Sequence, residues 1–462
     1  MKKLLAVILL LFDINLHAIS SIMNHRLVTS APLLYKQLDF SHEDLSIEFE
    51  PWVAGMFDPK HTMANLAPQG KSVLSLDQQG HGDINPKLLL LASSNSDLNY
   101  QSNIELTPEL SMYGFLFHCY KQFEYLFFDV KTAFIKSTTN IDINEVGGGN
   151  GFITTDNQDV IYNAQDAFTQ PDWNYGKIGQ GNSVIGFDNI QVEFGLSTKM
   201  TSFSNEKWRS YIAGFGLFEV PTGQGSTSEW LFEPQVGGNH WAFGFGADCM
   251  AIGENGYSFV GGGNYRHFIA NWEKRSFDLV DNGQWSRYLR YVSITDLLES
   301  GGDGKIGNGL PGINLFTQDA LIQGRDQVTL YGRIQKRFKT GLVEFSYNFL
   351  HTQKETIRKI DGITPLYGIY DVQSAGGITT AHLSKINEAQ VRQDLDPVTI
   401  KTNDLNLLSG SASEWNSSMI ALRLQRVQDF YTSGIGTSVD LAHTAQALST
   451  WSVWANFEIL LP

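Results

Sequence analysis

Apolar and polar side chains alternate with a period of two through much of the chain. In the segment 449–461 the apolar side chains occupy every second position, at Trp451, Val453, Ala455, Phe457 and Ile459. Polar residues such as Ser452, Asn456 and Glu458 occupy the positions between them. Successive side chains of a strand point to opposite faces, so this pattern predicts a strand with one apolar and one polar face. Such strands are typical of membrane barrels, with the apolar face toward lipid.

The same pattern recurs along the chain and predicts about twelve strands, with fourteen as the alternative if 83–93 or 286–296 also contribute. An even number of strands returns both chain ends to one rim. We therefore predict an all-β fold, a transmembrane antiparallel up-and-down β-barrel. The predicted strands are 45–56, 105–120, 124–140, 187–203, 207–220, 239–252, 257–272, 326–339, 342–356, 414–429, 433–446 and 449–461.

The predicted connections alternate between short turns and long loops. Bacterial outer-membrane barrels have short periplasmic turns and longer extracellular loops, so this sorting predicts two different rims. We expect the longest loops to hold short helices, one of them over 381–391, or to fold inward. Short turns are predicted near 121–124, 204–206, 253–256, 340–341 and 430–431, with a sixth short tip at 445–447 on the opposite rim. Long loops are predicted over 57–104, 141–186, 221–238, 273–325 and 357–413.

The short turns also predict which residues face each other on neighbouring strands. A one-residue slip would turn inward charges into lipid, where Arg or Lys costs about 2–4 kcal/mol at the midplane. The predicted neighbours are Arg337 with Glu344, Ile334 with Tyr347, Phe117 with Phe128, Phe115 with Val130 and Arg423 with Asp440.

The first residues have the three parts of a secretory signal peptide. Lys2 and Lys3 precede an apolar run over 4–12, and Ala18 supplies the small residue at a cleavage point. This apolar run is too short to cross a bilayer as a helix. We expect a signal peptide over 1–18, a periplasmic lead-in over 19–44 and the barrel over 45–462. The expected location is the bacterial outer membrane, with its lipid bilayer and insertion machinery as partners.

Charge and cysteine content narrow the possible functions. The formal net charge of −15 argues against nucleic acid, whose binding needs clustered Lys and Arg. Cys119 and Cys249 have no paired spacing, so we expect free thiols that are buried or face lipid. We expect no metal or cofactor and no enzymatic activity. A barrel phospholipase would need a third group beside His382 and Ser384, and the sequence offers none.

Charged residues on the predicted inner face are the candidate pore lining. They could set the potential of a channel, or they could form opposite-charge pairs in a filled interior. We expect Arg333 and Arg423 to be the strongest pore-lining candidates. The full set is Asp129, Lys131, Asp248, Arg333, Arg337, Glu344, Arg423, Asp440 and Glu458.

Aromatic residues lie at the predicted strand ends and could form girdles at the two membrane interfaces. Their alternative role is stacking against sugars. They are Trp208, Tyr211, Trp241, Tyr257, Trp272, Trp451 and Trp454.

A short motif follows the fifth predicted strand. Pro221-Thr222-Gly223 precedes a polar loop, and Trp241-Ala242-Phe243-Gly244-Phe245-Gly246 begins the next strand. This order resembles the outer-membrane family named for the meta-pathway of phenol degradation, which is related to long-chain fatty-acid transporters. The resemblance implies passive uptake of small solutes, apolar molecules among them.

Two other functions fit the same sequence. One is a plugged surface barrel with a structural or adhesive role, whose long loops bind partners. The other is a secreted, soluble β-protein. We expect a channel, with a lumen narrowed by inward loops and a charged ring that sets selectivity.

Overall fold

The computed structural model describes most of the chain after residue 44. The described residues are 45–78, 81–91, 100–147, 161, 163–179, 181–200, 207–295, 309–370, 380–381, 385–387, 398–428, 430–444 and 447–461. The predicted signal peptide, the lead-in, the turn at 204–206 and most of the tip at 445–447 lie outside them.

Twelve antiparallel strands close into a barrel. Each strand pairs with its neighbours in sequence, and the last strand pairs with the first, so the predicted up-and-down barrel is confirmed. The strands are β1 (Leu45–Met56), β2 (Gln101–Phe123), β3 (Leu126–Gly147), β4 (Ile190–Lys199), β5 (Trp208–Val220), β6 (Ala242–Gly253), β7 (Tyr257–Phe268), β8 (Gln327–Arg337), β9 (Gly341–Thr352), β10 (Trp415–Val427), β11 (Tyr431–Ala442) and β12 (Thr450–Leu461).

Two further strands lengthen the sheet without entering the closed ring. Val73–Asp77 pairs with residues 101–105 of β2, and Asn182–Phe187 pairs with residues 134–139 of β3. The additional barrel strands considered at 83–93 and 286–296 were wrong. The first region contains the 3₁₀ helix Pro86–Leu89, and the second contains a 3₁₀ turn and a short strand outside the barrel sheet.

The outer face of the barrel is apolar and the inner face is buried. Phe245, Leu196 and Ile435 are more than 60% exposed, although they are among the most apolar residues of the chain. On a soluble protein an apolar surface of this extent would promote association. It is the surface that a lipid bilayer covers, and with the closed sheet it makes the protein a transmembrane β-barrel of the outer-membrane type.

The strands β2 and β3 are about twice as long as their neighbours and form a projecting ribbon. They contain 23 and 22 residues, whereas β1 contains 12. Between Cys119 and Tyr113 the outward side chains of β2 are apolar. Farther from the periplasmic turn they are polar, at Ser111, Glu109 and Glu105. Residues 101–112 and 136–147 therefore stand outside the membrane, on the side of the long loops.

The predicted faces are correct, although the register at two turns differs. Arg337 pairs with Leu342 rather than Glu344, because the turn occupies 338–340, where the Phe338 N–H donates to the Gly341 carbonyl. Phe117 pairs with Thr132, because the turn lies at 124–125. Both shifts are even-numbered, so every side chain keeps its face. Two further predicted pairs were wrong by the same shifts. Ile334 pairs with Phe345 rather than Tyr347, and Phe115 pairs with Phe134 rather than Val130.

The turn between β6 and β7 matches its prediction. Gly256 has a φ of +80°, and its N–H donates to the Gly253 carbonyl at 3.0 Å. Glycine adopts this left-handed conformation without steric cost, which is why it ends a three-residue hairpin loop.

The extracellular loops fold together into a cap. Its α-helices are Pro59–Leu66, Ala164–Ala167 and Gly312–Phe316, and its 3₁₀ helices are Pro68–Gly70, Pro86–Leu89, Ser286–Tyr288, Thr402–Asp404 and Leu407–Gly410. No helix in the described ranges is both long and apolar enough to cross a membrane. A three-stranded sheet comprises Asn271–Ser276, Thr317–Gln323 and Thr356–Ile360, a four-stranded sheet comprises Leu310–Pro311, Arg290–Ser293, Tyr367–Tyr370 and Thr380–Ala381, and a two-stranded sheet comprises Asp278–Leu279 and Leu405–Asn406.

Only part of the helix predicted over 381–391 lies within the described residues. Ala381 belongs to a two-residue strand there, so a helix starting at this position was wrong.

Aromatic side chains hold the cap together. Trp173 stacks on Tyr288 with ring centroids 5.2 Å apart, and Trp285 packs edge-on against Tyr288. The indole N–H of Trp285 donates to the Leu66 carbonyl at 2.8 Å, which ties two loops together. This apolar core continues without a break to Trp52 and other inner-face residues of the barrel. The long loops are therefore one packed unit seated in the extracellular mouth.

Both cysteines are free and lie on the outer face, as predicted. We expect Cys119 and Cys249 in lipid vesicles to react with a membrane-permeable maleimide and to resist a charged, impermeant one. Leu366→Cys, on the exposed cap, provides the control, since this thiol should react with both reagents. Equal labelling of all three thiols by the impermeant reagent would contradict this orientation.

Candidate functional site

A layer of buried charged side chains crosses the inside of the barrel; we call it the interior belt. Glu50 and Asp129 are 0% exposed, and the belt arginines are about as deeply buried. Alternation on eight strands brings these residues together, because each occupies the inner face of its strand. The belt comprises Glu48, Glu50, His118, Asp129, Lys131, Glu193, Asp248, Arg333, Glu344 and Arg423.

One end of the interior belt is a chain of alternating cations and carboxylates. His118 lies between two acids, with Nε2 2.9 Å from Asp129 Oδ1 and Nδ1 3.4 Å from Glu48 Oε2. Lys131 Nζ lies 3.3 Å from both Asp129 and Glu193. Asp129 therefore contacts two basic side chains, and Lys131 links it to Glu193.

Arg423 connects two parts of the interior belt that lie on non-adjacent strands. Its guanidinium lies 3.5 Å from Glu48 and 3.2 Å from Glu50, so it reaches from β10 past β11 and β12 to β1. Its register partner on β11 is Gly436, where a Cβ atom would lie 2.3 Å from the Trp454 ring. The predicted approach of Arg423 to Asp440 was wrong.

The other end of the interior belt lies on β6, β8 and β9. Arg333 Nη1 is 3.4 Å from Glu344 Oε2, and the Gln335 amide donates to the same carboxylate at 2.5 Å. The Tyr331 hydroxyl donates to Asp248. These contacts link β8 through side chains to its neighbour β9 and, past β7, to β6.

The structure places the nine predicted pore-lining residues at three levels. Asp129, Lys131, Asp248, Arg333, Glu344 and Arg423 belong to the interior belt. Arg337 is exposed at the periplasmic turn. Glu458 lies opposite Glu48, at the periplasmic edge of the interior belt, and accepts a hydrogen bond from Ser46 at 2.7 Å, whereas Asp440 lies nearer the cap beside Ser417.

Four members of the interior belt were missing from the prediction: Glu48, Glu50, His118 and Glu193. Their signal is the same alternation that identified the others. Glu48 and Glu50, for instance, flank Phe49, which is exposed on the outer face. The ion pairs are less accessible to sequence reasoning, because Arg423 and Glu50 are 373 residues apart.

A second polar region, the mouth cavity, lies where the cap meets the ends of β7, β8 and β10. The empty space among its lining residues, open solvent at the entrance included, is about 720 Å³. Its lining residues are Gln224, Ser226, Gln235, Gly237, Gly238, Asn239, His240, Phe268, Glu273, Arg275, Arg325, Gln327, Glu355 and Trp415.

The charges of the mouth cavity form a connected chain. Glu273 lies between Arg275, at 2.6 Å, and His240, at 3.3 Å. Glu355 lies 3.4 Å from both Arg275 and Arg325, and it accepts the Ala412 N–H at 2.8 Å. The two arginines are therefore balanced by two glutamates.

These contacts shift two pKa values in the cap. Burial favours neutral Glu273, but the Arg275 charge and the His240 hydrogen bond outweigh it and lower the pKa of Glu273 to about 2. Burial acts to lower the pKa of His240, and the contact with Glu273 outweighs it, so the pKa of His240 is raised. Glu273 is therefore ionised throughout the physiological range.

The motif that carried the family resemblance frames this cavity. Thr222 donates to the Asp188 carbonyl at 2.5 Å, and the loop then leads through Gln224 to Gly237, whose φ is +67°. Trp241 is exposed on the outer face at the start of β6. The motif therefore shapes the rim of the mouth.

Of the seven residues predicted for the aromatic girdles, five face outward and two were wrong. Trp241, Tyr257, Trp272 and Trp451 are about 40% exposed, and Trp208 packs against outward-facing Phe259. Tyr211 and Trp454 point inward and are buried, because they occupy the inner positions of β5 and β12. His382 and Ser384 lie outside the described residues.

No protein-family model and no curated protein matches the sequence. Among solved structures, the chain is similar to an outer-membrane channel from Pseudomonas putida F1, with 8% identity, coverage of 93% of this chain and 100% of that one, and a TM-score of 0.40. It is also similar to the monoaromatic hydrocarbon channel TodX, solved as a mutant, with 8% identity, 97% and 99% coverage and a TM-score of 0.30. It is also similar to the NanC porin, with 8% identity, coverage of 75% of this chain and 93% of that one, and a TM-score of 0.27.

Proposed function

We propose that this protein is an outer-membrane channel for passive uptake of small solutes, and that the cap and the interior belt narrow its path. The proposal includes export by a signal peptide over 1–18 and assembly by the outer-membrane insertion machinery. Solutes would enter through the mouth cavity and pass the interior belt. No chemical step is involved.

The polar interior is the observation that carries this proposal. A barrel that served only as an anchor could be filled with apolar side chains, and replacing buried ion pairs by such residues is often neutral or stabilising by about 1–4 kcal/mol. Here Arg333, Arg423 and their carboxylate partners form buried ion pairs inside the barrel. A connected polar interior below a polar mouth is what a solute path needs.

Channel activity is tested by currents across planar lipid bilayers. We expect small, discrete conductance steps, because the belt side chains fill much of the lumen. Arg333→Gln should shift the reversal potential in a KCl gradient toward cations, since one positive charge leaves the path and Glu344 keeps its hydrogen bond from Gln335. Arg337→Gln, at the exposed rim of the same strand, is the matched control and should shift it less.

The second candidate function is a closed barrel that carries the cap as a binding surface. The deep burial of Glu50, Asp129 and Trp454 favours it, since an open aqueous lumen would leave such side chains accessible. Folded protein that gives no current at any voltage would support this alternative and remove the channel proposal.

A further inference from the structure

We propose that the mouth cavity binds a small neutral solute rich in hydroxyl groups, of the size of a polyol or a monosaccharide. This inference rests on the proposed function and names the class of its solute. It starts from polar atoms that the fold buries in the cavity wall without using them.

Three lining residues carry these unused polar atoms. Arg275 is 3% exposed, Gln327 7% and Trp415 2%. Nevertheless Arg275 Nε and Nη1, Gln327 Oε1 and Trp415 Nε1 have no hydrogen-bond partner among the described residues. A buried polar group left unpaired costs about 1–3 kcal/mol. These atoms are covered by protein, so a bound solute pairs with them as their side chains turn toward it.

The kinds of unpaired atom define the ligand. Arg275 and Trp415 offer N–H donors, and Gln327 offers a carbonyl acceptor. A hydroxyl group can both accept and donate, so a solute with several hydroxyls can satisfy all of these atoms at once. An apolar solute would leave them unpaired, which argues against the apolar uptake implied by the family resemblance.

The charge balance of the cavity favours a neutral solute over an anion. The three basic lining residues already contact carboxylates: Arg275 and His240 contact Glu273, and Arg275 and Arg325 contact Glu355. Little positive charge therefore remains to offset the desolvation of a carboxylate. The rings of Phe268 and Trp415 add apolar surface on which the carbon side of a sugar ring can pack.

Binding is tested with D-xylose and the full-length protein in a detergent without a sugar headgroup, using calorimetry and saturation-transfer NMR. Trp415→Phe keeps an aromatic ring and removes the free N–H, and Gln327→Met keeps the length and removes the free carbonyl. Each should raise the xylose Kd about fivefold, the change expected for one neutral hydrogen bond. Neither variant should unfold the protein, since each removes a buried polar atom without a partner.

Trp451→Phe, on the lipid-facing surface, is the control and should leave the xylose Kd unchanged. Absence of xylose binding, an equal Kd in all three variants, or tighter binding of benzoate than of xylose would overturn the inference. A cavity that holds only water gives the first of these results. Xylose binding without current would support this site and contradict the channel. Current with unaltered Kd values would support the channel and contradict this site.

Discussion

Replacing Arg423 by Met is expected to lower the free energy of unfolding by about 3–5 kcal/mol, because it leaves buried carboxylates without their counter-charge. Arg423 is the cation nearest to Glu50, which is 0% exposed, and it also contacts Glu48. Urea-induced unfolding from lipid vesicles, followed by tryptophan fluorescence, measures the change. Met retains most of the aliphatic stem, so the loss reports on charge more than on packing.

Arg337→Met is the matched control, since Arg337 is exposed at the periplasmic rim. We expect it to change the free energy of unfolding by no more than about 0.5 kcal/mol. Adding Glu50→Gln to Arg423→Met should recover part of the loss, because one unpaired charge is then removed. A loss below about 1 kcal/mol for Arg423→Met would show that the interior belt is hydrated and not dependent on this pair.

The second large effect is expected on the outer face, where Leu422→Arg should cost about 2–4 kcal/mol. Leu422 is 44% exposed in the middle of β10, with Ile420 and Leu424 exposed on either side. A charge there must leave water for hydrocarbon or distort the bilayer to reach the headgroups. The same unfolding measurement in vesicles reports the cost.

Leu366→Arg makes the same chemical change on the cap, where the side chain is 50% exposed. Because water surrounds this position, the free energy of unfolding should stay within about 0.5 kcal/mol of the parent. Similar losses for Leu366→Arg and Leu422→Arg would mean that the apolar face of β10 does not contact lipid.

The sequence is informative about strands and faces because alternation is a local property. On β1, for example, Ile47, Phe49 and Val53 are exposed while Glu48 and Glu50 are buried. The four consecutive residues 47–50 are enough to show this alternation. Register is less secure, since it depends on which residues form the turn. The turns at 124–125 and 338–340 lie slightly away from their predicted positions, and only the even size of each shift preserved the faces.

The cap and the ion pairs of the interior belt could not be predicted in the same way. Trp285 bonds to Leu66 across 219 residues, and Arg423 bonds to Glu50 across 373. Such contacts follow from how whole loops and strands meet, and one sequence contains no local signal for them. Alternation did show that Arg423 points inward. It could not show that Arg423 reaches Glu48 and Glu50 on β1.

The projecting ribbon of β2 and β3 makes the two ends of the barrel differ in height above the membrane. Its extra length of about 11 residues, at about 3.3 Å per residue and with the usual strand tilt, corresponds to a height of roughly 25 Å above the lipid. On the opposite rim, the described residues form tight hairpins at 124–125, 254–256 and 338–340. Atomic-force images of a reconstituted membrane can therefore sort individual molecules by insertion direction, without any label.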